Sequence, residues 1–291
     1  MSDDRFPIVL AHGIARFDIL REIFVRRSPV PEDQLGDQLH YFKGIKSHLE
    51  ANGFDVHHSS VDFAGSVDLR AQQLSVQIDQ VLNESGSEKV HIIAHSMGGL
   101  DARHMIVDIE GMADKVASLT TIGTPHLGTS FADFGFSAGG GIAVDGLRPI
   151  INLEGFEDLT TAACEEFNSR AKNKEASNAV VYRTYASAEE RDLVFLLLQP
   201  SWFIISMNEG ENDGLVSVKS QHWTSELTGD DGSRKTVEQF RFEVPADHLN
   251  EVGWWDPQEA DSILGMLKAG KQADEYESKI RNIYLQIAQS L

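Results

Sequence analysis

Cysteine is nearly absent from this chain, Cys164 being the only one in 291 residues. A lone thiol can close no intramolecular disulfide and build no cysteine-based metal site, so the fold must rest on burial and hydrogen bonding. Basic residues are also scarce, with 25 Lys and Arg against 45 Asp and Glu, a formal charge of −20. Such a surface opposes contact with phosphate backbones and anionic membranes, which excludes nucleic-acid binding as a function. It does not oppose a neutral apolar ligand, whose burial owes nothing to long-range attraction. Long hydrophobic runs are missing too: the longest, Leu193 to Met207, is interrupted by Gln199-Pro200-Ser201 and is too short on either side to span a bilayer. The opening Met1-Ser2-Asp3-Asp4-Arg5 lacks a basic segment followed by an apolar one. These absences predict a soluble protein that is cytoplasmic, or exported without a cleaved N-terminal signal. Nothing in the sequence specifies an oligomeric state.

What is present is organised around Val90-His91-Ile92-Ile93-Ala94-His95-Ser96-Met97-Gly98-Gly99-Leu100. The β-branched apolar residues predict a buried parallel strand, and the paired glycines lead straight into a helix. Small residues two positions either side of Ser96 let the backbone reverse in little space, which is the pattern of a nucleophile elbow. The helix that follows would aim its free N–H groups at charge developing on the serine, with the Met97 N–H as first oxyanion donor. Upstream, Ile8-Val9-Leu10-Ala11-His12-Gly13-Ile14 reads as a second buried strand running into a loop. The Ile14 N–H is the candidate second donor.

Around these two stretches the chain alternates. Leu39 to Leu49 predicts a helix, Asp55 to Val61 a strand, Ser66 to Ser85 a helix closed by Gly86, and Val116 to Ile122 a strand. Later strands are expected at Ala179 to Ala186 and Val237 to Val244, a helix from Asp256 through Leu267, and a final helix from about Glu275. This order predicts one α/β domain over residues 1–291 with a mostly parallel sheet flanked by helices. Residues 127–156 differ in character, with phenylalanines and aliphatics among glycines that include Gly139-Gly140-Gly141. An apolar, glycine-hinged insertion beside the expected site suits a lid over an apolar substrate.

A serine hydroxyl needs a base within hydrogen-bond reach and an anion to orient that base. In α/β hydrolases the chain order is serine, acid, histidine. Ser96, Asp213 and His248 satisfy it, the last two on loops that follow apolar stretches. His222 also lies beyond Asp213 but precedes the late strand, and Asp247 is a rival acid beside His248. His126 directly follows Pro125 in a turn, which suits a structural hydrogen bond.

The combination of Pro7-Ile8-Val9-Leu10-Ala11-His12-Gly13-Ile14, Ala94-His95-Ser96-Met97-Gly98-Gly99, Gly123-Thr124-Pro125-His126-Leu127-Gly128, Asn212-Asp213-Gly214-Leu215-Val216 and His248-Leu249-Asn250-Glu251-Val252 resembles bacterial true lipases of the Pseudomonas, Burkholderia and Proteus type. The likeness covers most of the chain. It implies the α/β-hydrolase fold, Ser96, Asp213 and His248 as catalytic triad, and the N–H groups of Ile14 and Met97 as oxyanion hole. The family's structural calcium would fall on Asp192 and Asn250. Asn250 stands where the family carries an aspartate, and Trp254 where it carries a glutamine, so calcium is expected to be weak or absent. The chemistry itself needs no cofactor.

The sequence therefore predicts a serine carboxylic ester hydrolase, a lipase acting on acylglycerols or other apolar esters, with a lipid–water interface as a place of action. Alternatives with the same residues are a plain esterase or an acyltransferase. One from another class is a catalytically silent homologue that binds a lipid or a protein.

Overall fold

The structure is a computed structural model, and it describes residues 5–14, 36–63, 65–136, 155–254 and 263–291. Seven strands form one sheet in the order β2-β1-β3-β4-β5-β7-β6: β1 (Ile8–Ala11), β2 (Val56–His58), β3 (Val90–His95), β4 (Val116–Ile122), β5 (Val181–Ala186), β6 (Glu226–Thr228) and β7 (Arg234–Arg241). All neighbours pair parallel except β6 with β7. Strand residues alternate between two apolar layers, as a sheet covered on both faces requires. Ile8, Leu10 and Ile93 enter one core with Phe42, Leu49 and Ile122, while Val9, Ala11, Ile92 and Ala94 enter the other with Leu74, Ile78 and Met105.

The helices are α1 (Ile45–Ala51), α2 (Val67–Ser85), α3 (Met97–Asp108), α4 (Met112–Lys115), α5 (Ser130–Phe136), α6 (Thr161–Ser177), α7 (Gln199–Asn208), α8 (Val218–His222) and α9 (Ile263–Gln289). None of the described helices is long and apolar enough to cross a membrane. The α2 prediction holds to its ends: Ser66 Oγ accepts from the Leu69 N–H, and Gly86 closes the helix in a left-handed conformation. Elsewhere the structure departs from expectation. The first helix begins at Ile45, because residues 36–39 form a separate 3-10 turn. The two expected C-terminal helices are one continuous helix, α9, since no proline interrupts it and Gly270 weakens a helix by only about 1 kcal/mol. The expected start at Asp256 lies outside the described residues, as do positions 137–154 of the expected lid.

Helix α6 and the short strand β6 were not evident from the sequence. The inward face of α6 carries Cys164, Phe167, Ala171 and then Glu175, a charge that interrupts the apolar stripe. Glu175 is buried because it receives Arg103 of α3, whose Nε and Nη2 lie 2.8 and 2.9 Å from its two oxygens. Arg103 also donates to Asn168 Oδ1 and stacks on Trp223. Removing one partner of a buried ion pair leaves the other charge desolvated and uncompensated, so Glu175→Ala should lower unfolding free energy by about 3–5 kcal/mol. Chemical denaturation of the variant against the wild type checks this, and Glu175→Gln should lose less.

Candidate active site

Ser96 sits between β3 and α3 at φ 57°, ψ −136°, one of two non-glycine residues at positive φ among those described. The conformation is held from several sides. The Ser96 N–H donates to the Ile122 carbonyl at 2.9 Å, and the Ser96 carbonyl accepts from Thr124 Oγ1 at 2.8 Å. Helix α3 leaves the turn pressed against β1: a Cβ on Gly98 would lie 2.5 Å from the Ala11 carbonyl oxygen, which leaves room for no other residue.

The structure brings together the three residues singled out by chain order. His248 Nε2 is 2.8 Å from Ser96 Oγ, and His248 Nδ1 is 2.8 Å from Asp213 Oδ2. With Nδ1–H donating to the carboxylate, Nε2 is left to accept the serine proton. Asp213 is fully buried, and its oxygens divide the work. Oδ1 accepts the Leu215 and Val216 N–H groups in a turn, while Oδ2 takes His248 and, at 3.1 Å, Gln221 Nε2.

The rivals are placed elsewhere. Asp247 uses Oδ1 for the Leu249 and Asn250 N–H groups and Oδ2 for that of Phe195, and burial pushes its carboxyl up to about 7. His222 lies in α8, and its described contacts do not include Ser96 or Asp213. His126 is buried between Thr121 Oγ1 and Arg103 and stacks on Trp223, a structural role.

The two expected oxyanion donors are also at the site. Met97 is the first residue of α3, and Ile14 lines the same cavity as Ser96 and His248. Neither N–H donates to a protein group among the described residues. His12 Nε2 accepts the Val61 N–H at 3.2 Å, which makes Nδ1 the protonated nitrogen, and Nδ1 donates to the Gly13 carbonyl at 2.9 Å. Across the trans peptide the Ile14 N–H therefore faces away from that ring. Arg70 ties the same loop to the segment after β2, donating to the His12 and Asp62 carbonyls while pairing with Asp101 of α3 at 2.6 Å. Gly13 itself has no space for a side chain, since a Cβ would lie 2.7 Å from Ser96 Cβ.

Sequence reading missed a buried polar chain behind the histidine. Tyr41 Oη is 2.7 Å from His95 Nδ1, and His95 Nε2 is 3.0 Å from Glu251 Oε2, which in turn lies 3.8 Å from His248 Nδ1. Burial, with Asp213 and Asp247 nearby, pushes the Glu251 carboxyl well above the usual range and keeps it neutral. Burial, with His248 beside it, holds His95 well below the ordinary imidazole value. The only signal in the sequence was a carboxylate three residues after His248.

The cavity over Ser96 has walls of Phe131, Phe156, Leu159, Leu198 and Leu215 among others. Asp192, by contrast, is out in solvent with 87% of its side chain exposed, paired with Arg191. Asn250 is buried and spends its amide N–H on the Trp254 carbonyl.

Residues 24–136 match the family model described as PGAP1-like alpha/beta domain. The chain is 27% identical to triacylglycerol lipase 2 of Saccharomyces cerevisiae over 98% of its own length and 90% of that protein's. It is 35% identical to a triacylglycerol lipase of Pseudarthrobacter phenanthrenivorans over 45% of this chain and 36% of that one, so this match spans about a third of the bacterial protein. Among solved structures, the mature form of Bacillus licheniformis lipase BlEst2 superposes with a TM-score of 0.61 at 18% identity, covering 86% of this chain and 88% of that one. These likenesses support a lipase-type ester hydrolase with an α/β-hydrolase fold. Lipases of this kind need no cofactor for catalysis.

The loop geometry of this hydrolase carries a pH dependence. Burial, with Arg70 adding to it, lowers His12 from 6.5 to about 4. A depressed folded-state value means that the contribution is present above about 6.5 and is lost as pH falls toward 4. Melting temperature should drop across that window, and His12→Gln should flatten the drop measurably relative to the wild type, although other buried histidines keep part of it.

Proposed function

We propose that Ser96, His248 and Asp213 act as nucleophile, general base and orienting acid in ester hydrolysis through an acyl-enzyme. The observation that carries this is the unbroken line Asp213 Oδ2, His248 Nδ1, His248 Nε2, Ser96 Oγ, with both hydrogen bonds at 2.8 Å, opening on an apolar cavity. His248 takes the Ser96 proton as Oγ attacks the ester carbonyl, and the resulting oxyanion is received by the Ile14 and Met97 N–H groups. The tetrahedral intermediate collapses, the alcohol leaves with the proton from His248, and water attacks the acyl-enzyme by the same route. Asp213 keeps the imidazole in its productive tautomer and offsets the charge it gains.

The substrate is an ester with an apolar acyl chain, a triacylglycerol or a relative of one, as the named lipases above suggest. Two features support attack at a lipid–water interface. The cavity walls are aliphatic and aromatic, and beside them Leu196, Phe203 and Met207 expose apolar side chains on and next to α7. The segment 127–156 acts as lid in this proposal, and its described ends are consistent with that: Phe131 and Phe156 pack edge to face at 5.5 Å in the cavity wall. Calcium has no part in it. Asp192 stands open to solvent and Asn250 offers one neutral oxygen, a poor start for an ion that takes 6–8 oxygen ligands.

Ser96→Ala should lower ester turnover by on the order of 10⁶-fold while leaving the fold intact, as for nucleophile knockouts in other serine hydrolases. Turnover of p-nitrophenyl esters by the purified variant measures this, and unchanged turnover would overturn the assignment. In the wild type, kcat/KM should rise by about fourfold for each added methylene until the cavity is filled, since a buried methylene contributes about 0.8 kcal/mol. A flat series from acetate to decanoate would contradict an acyl-binding cavity.

A further inference from the structure

We propose that Asp37, His40 and His58 form a transition-metal site, suited to zinc, at the open edge of the sheet. The three side chains come from two elements that the fold fixes independently. His58 ends β2, the edge strand beyond β1, and Asp37 lies in the 3-10 turn Gly36–Leu39 with His40 directly after it. Residues three apart in a 3-10 turn project in the same direction, which places Asp37 and His40 together against the strand end.

Asp37 Oδ1 is already 3.0 Å from His58 Nε2. The His40 and His58 rings stack with centroids 4.6 Å apart and planes within 2°. One ligand atom from each of the three residues lies within 4.8 Å of the other two. Ligand atoms on a tetrahedral zinc with bonds of about 2.0–2.1 Å sit roughly 3.3 Å apart, so the carboxylate and His58 are near that spacing, and His40 joins them by rotating out of the stack. Two imidazoles and a carboxylate favour zinc over calcium or magnesium, which take oxygen ligands. The carboxylate is also oriented from behind, because Asp37 Oδ2 accepts the Ser47 N–H at 2.9 Å, and Phe42 backs the His58 ring. A net charge of −20 concentrates cations around the protein.

The other two groups of this kind are less suited. At Asp68, His104 and Asp108 the Arg170 guanidinium lies 3.4 Å from His104 Nδ1 and pairs with Asp108, so a fixed cation already serves those carboxylates. His95, His248 and Glu251 belong to the active site. Metal at the edge site would tie the segment leading into α1 to β2, and it would displace the proton shared by Asp37 and His58, so affinity falls at acid pH. The inference is independent of the role given to Ser96.

Isothermal titration of the chelator-treated full chain with zinc chloride, repeated on His40→Ala, His58→Ala and His104→Ala, tests it. We expect one equivalent bound with Kd of about 10 µM or tighter, a higher melting temperature with zinc, and at least about tenfold weaker binding in both edge-site variants, with His104→Ala unchanged. Cobalt(II) should give a visible absorption band that both edge-site variants lose. No binding at about 1 mM zinc would overturn the proposal. Binding that His40→Ala and His58→Ala leave within about twofold, or that is lost instead in His104→Ala, would do the same. His40 is exposed, so His40→Ala should keep the wild-type circular dichroism and esterase activity, which separates loss of metal from loss of fold.

Discussion

The contact between the start of α3 and the end of β1 is the constraint on which the rest of the molecule depends. With Gly98 against the Ala11 carbonyl, the backbone between strand and helix has no path except through a positive φ at Ser96. A non-glycine residue there costs on the order of 1–3 kcal/mol and persists only where its surroundings over-determine it. Here Ile122, Thr124 and the packed helix do so. The same contact sets the start of α3 and the His12-Gly13-Ile14 loop beside one serine. Strain and oxyanion geometry thus have a single origin.

Burial of charge is the second organising element. The Arg70 and Asp101 pair is sealed between α2 and α3, and its remaining donors hold the His12 carbonyl, in the loop that carries Ile14, and the Asp62 carbonyl after β2. Across the serine, the buried Asp213 side chain is satisfied by two backbone N–H groups, Gln221 and His248. Its neighbour Glu251 has fewer partners, with Oε1 unbonded, and is held neutral. The two carboxyl groups at one histidine thus differ in how many donors meet them, and Glu251 is raised by burial and by the neighbouring Asp213 and Asp247.

Much of this was legible in the sequence, for identifiable reasons. The β-branched run before Ser96 and the small residues around it encode a local turn, and local patterns survive in a linear reading. Chain order chose Asp213 and His248, but only three dimensions separate Asp213 from Asp247, whose oxygens are consumed by backbone N–H groups of its own loop. Helix α6 was hidden because its buried face includes Glu175, apolar in location though not in kind. Glu251, His95 and Tyr41 were not identifiable as a chain, since their contacts span 54 and 156 positions in sequence and follow no period.

The central claim is that Ser96 is an activated nucleophile rather than an ordinary buried serine. Reaction of the folded protein with a fluorescent alkyl phosphonate, followed by peptide mass spectrometry, tests it most directly. One adduct per chain on Ser96, formed by the wild type and abolished both by Ser96→Ala and by prior acid unfolding, is the predicted result. Absence of labelling in the folded wild type, or an adduct on another serine that survives Ser96→Ala, would contradict the account.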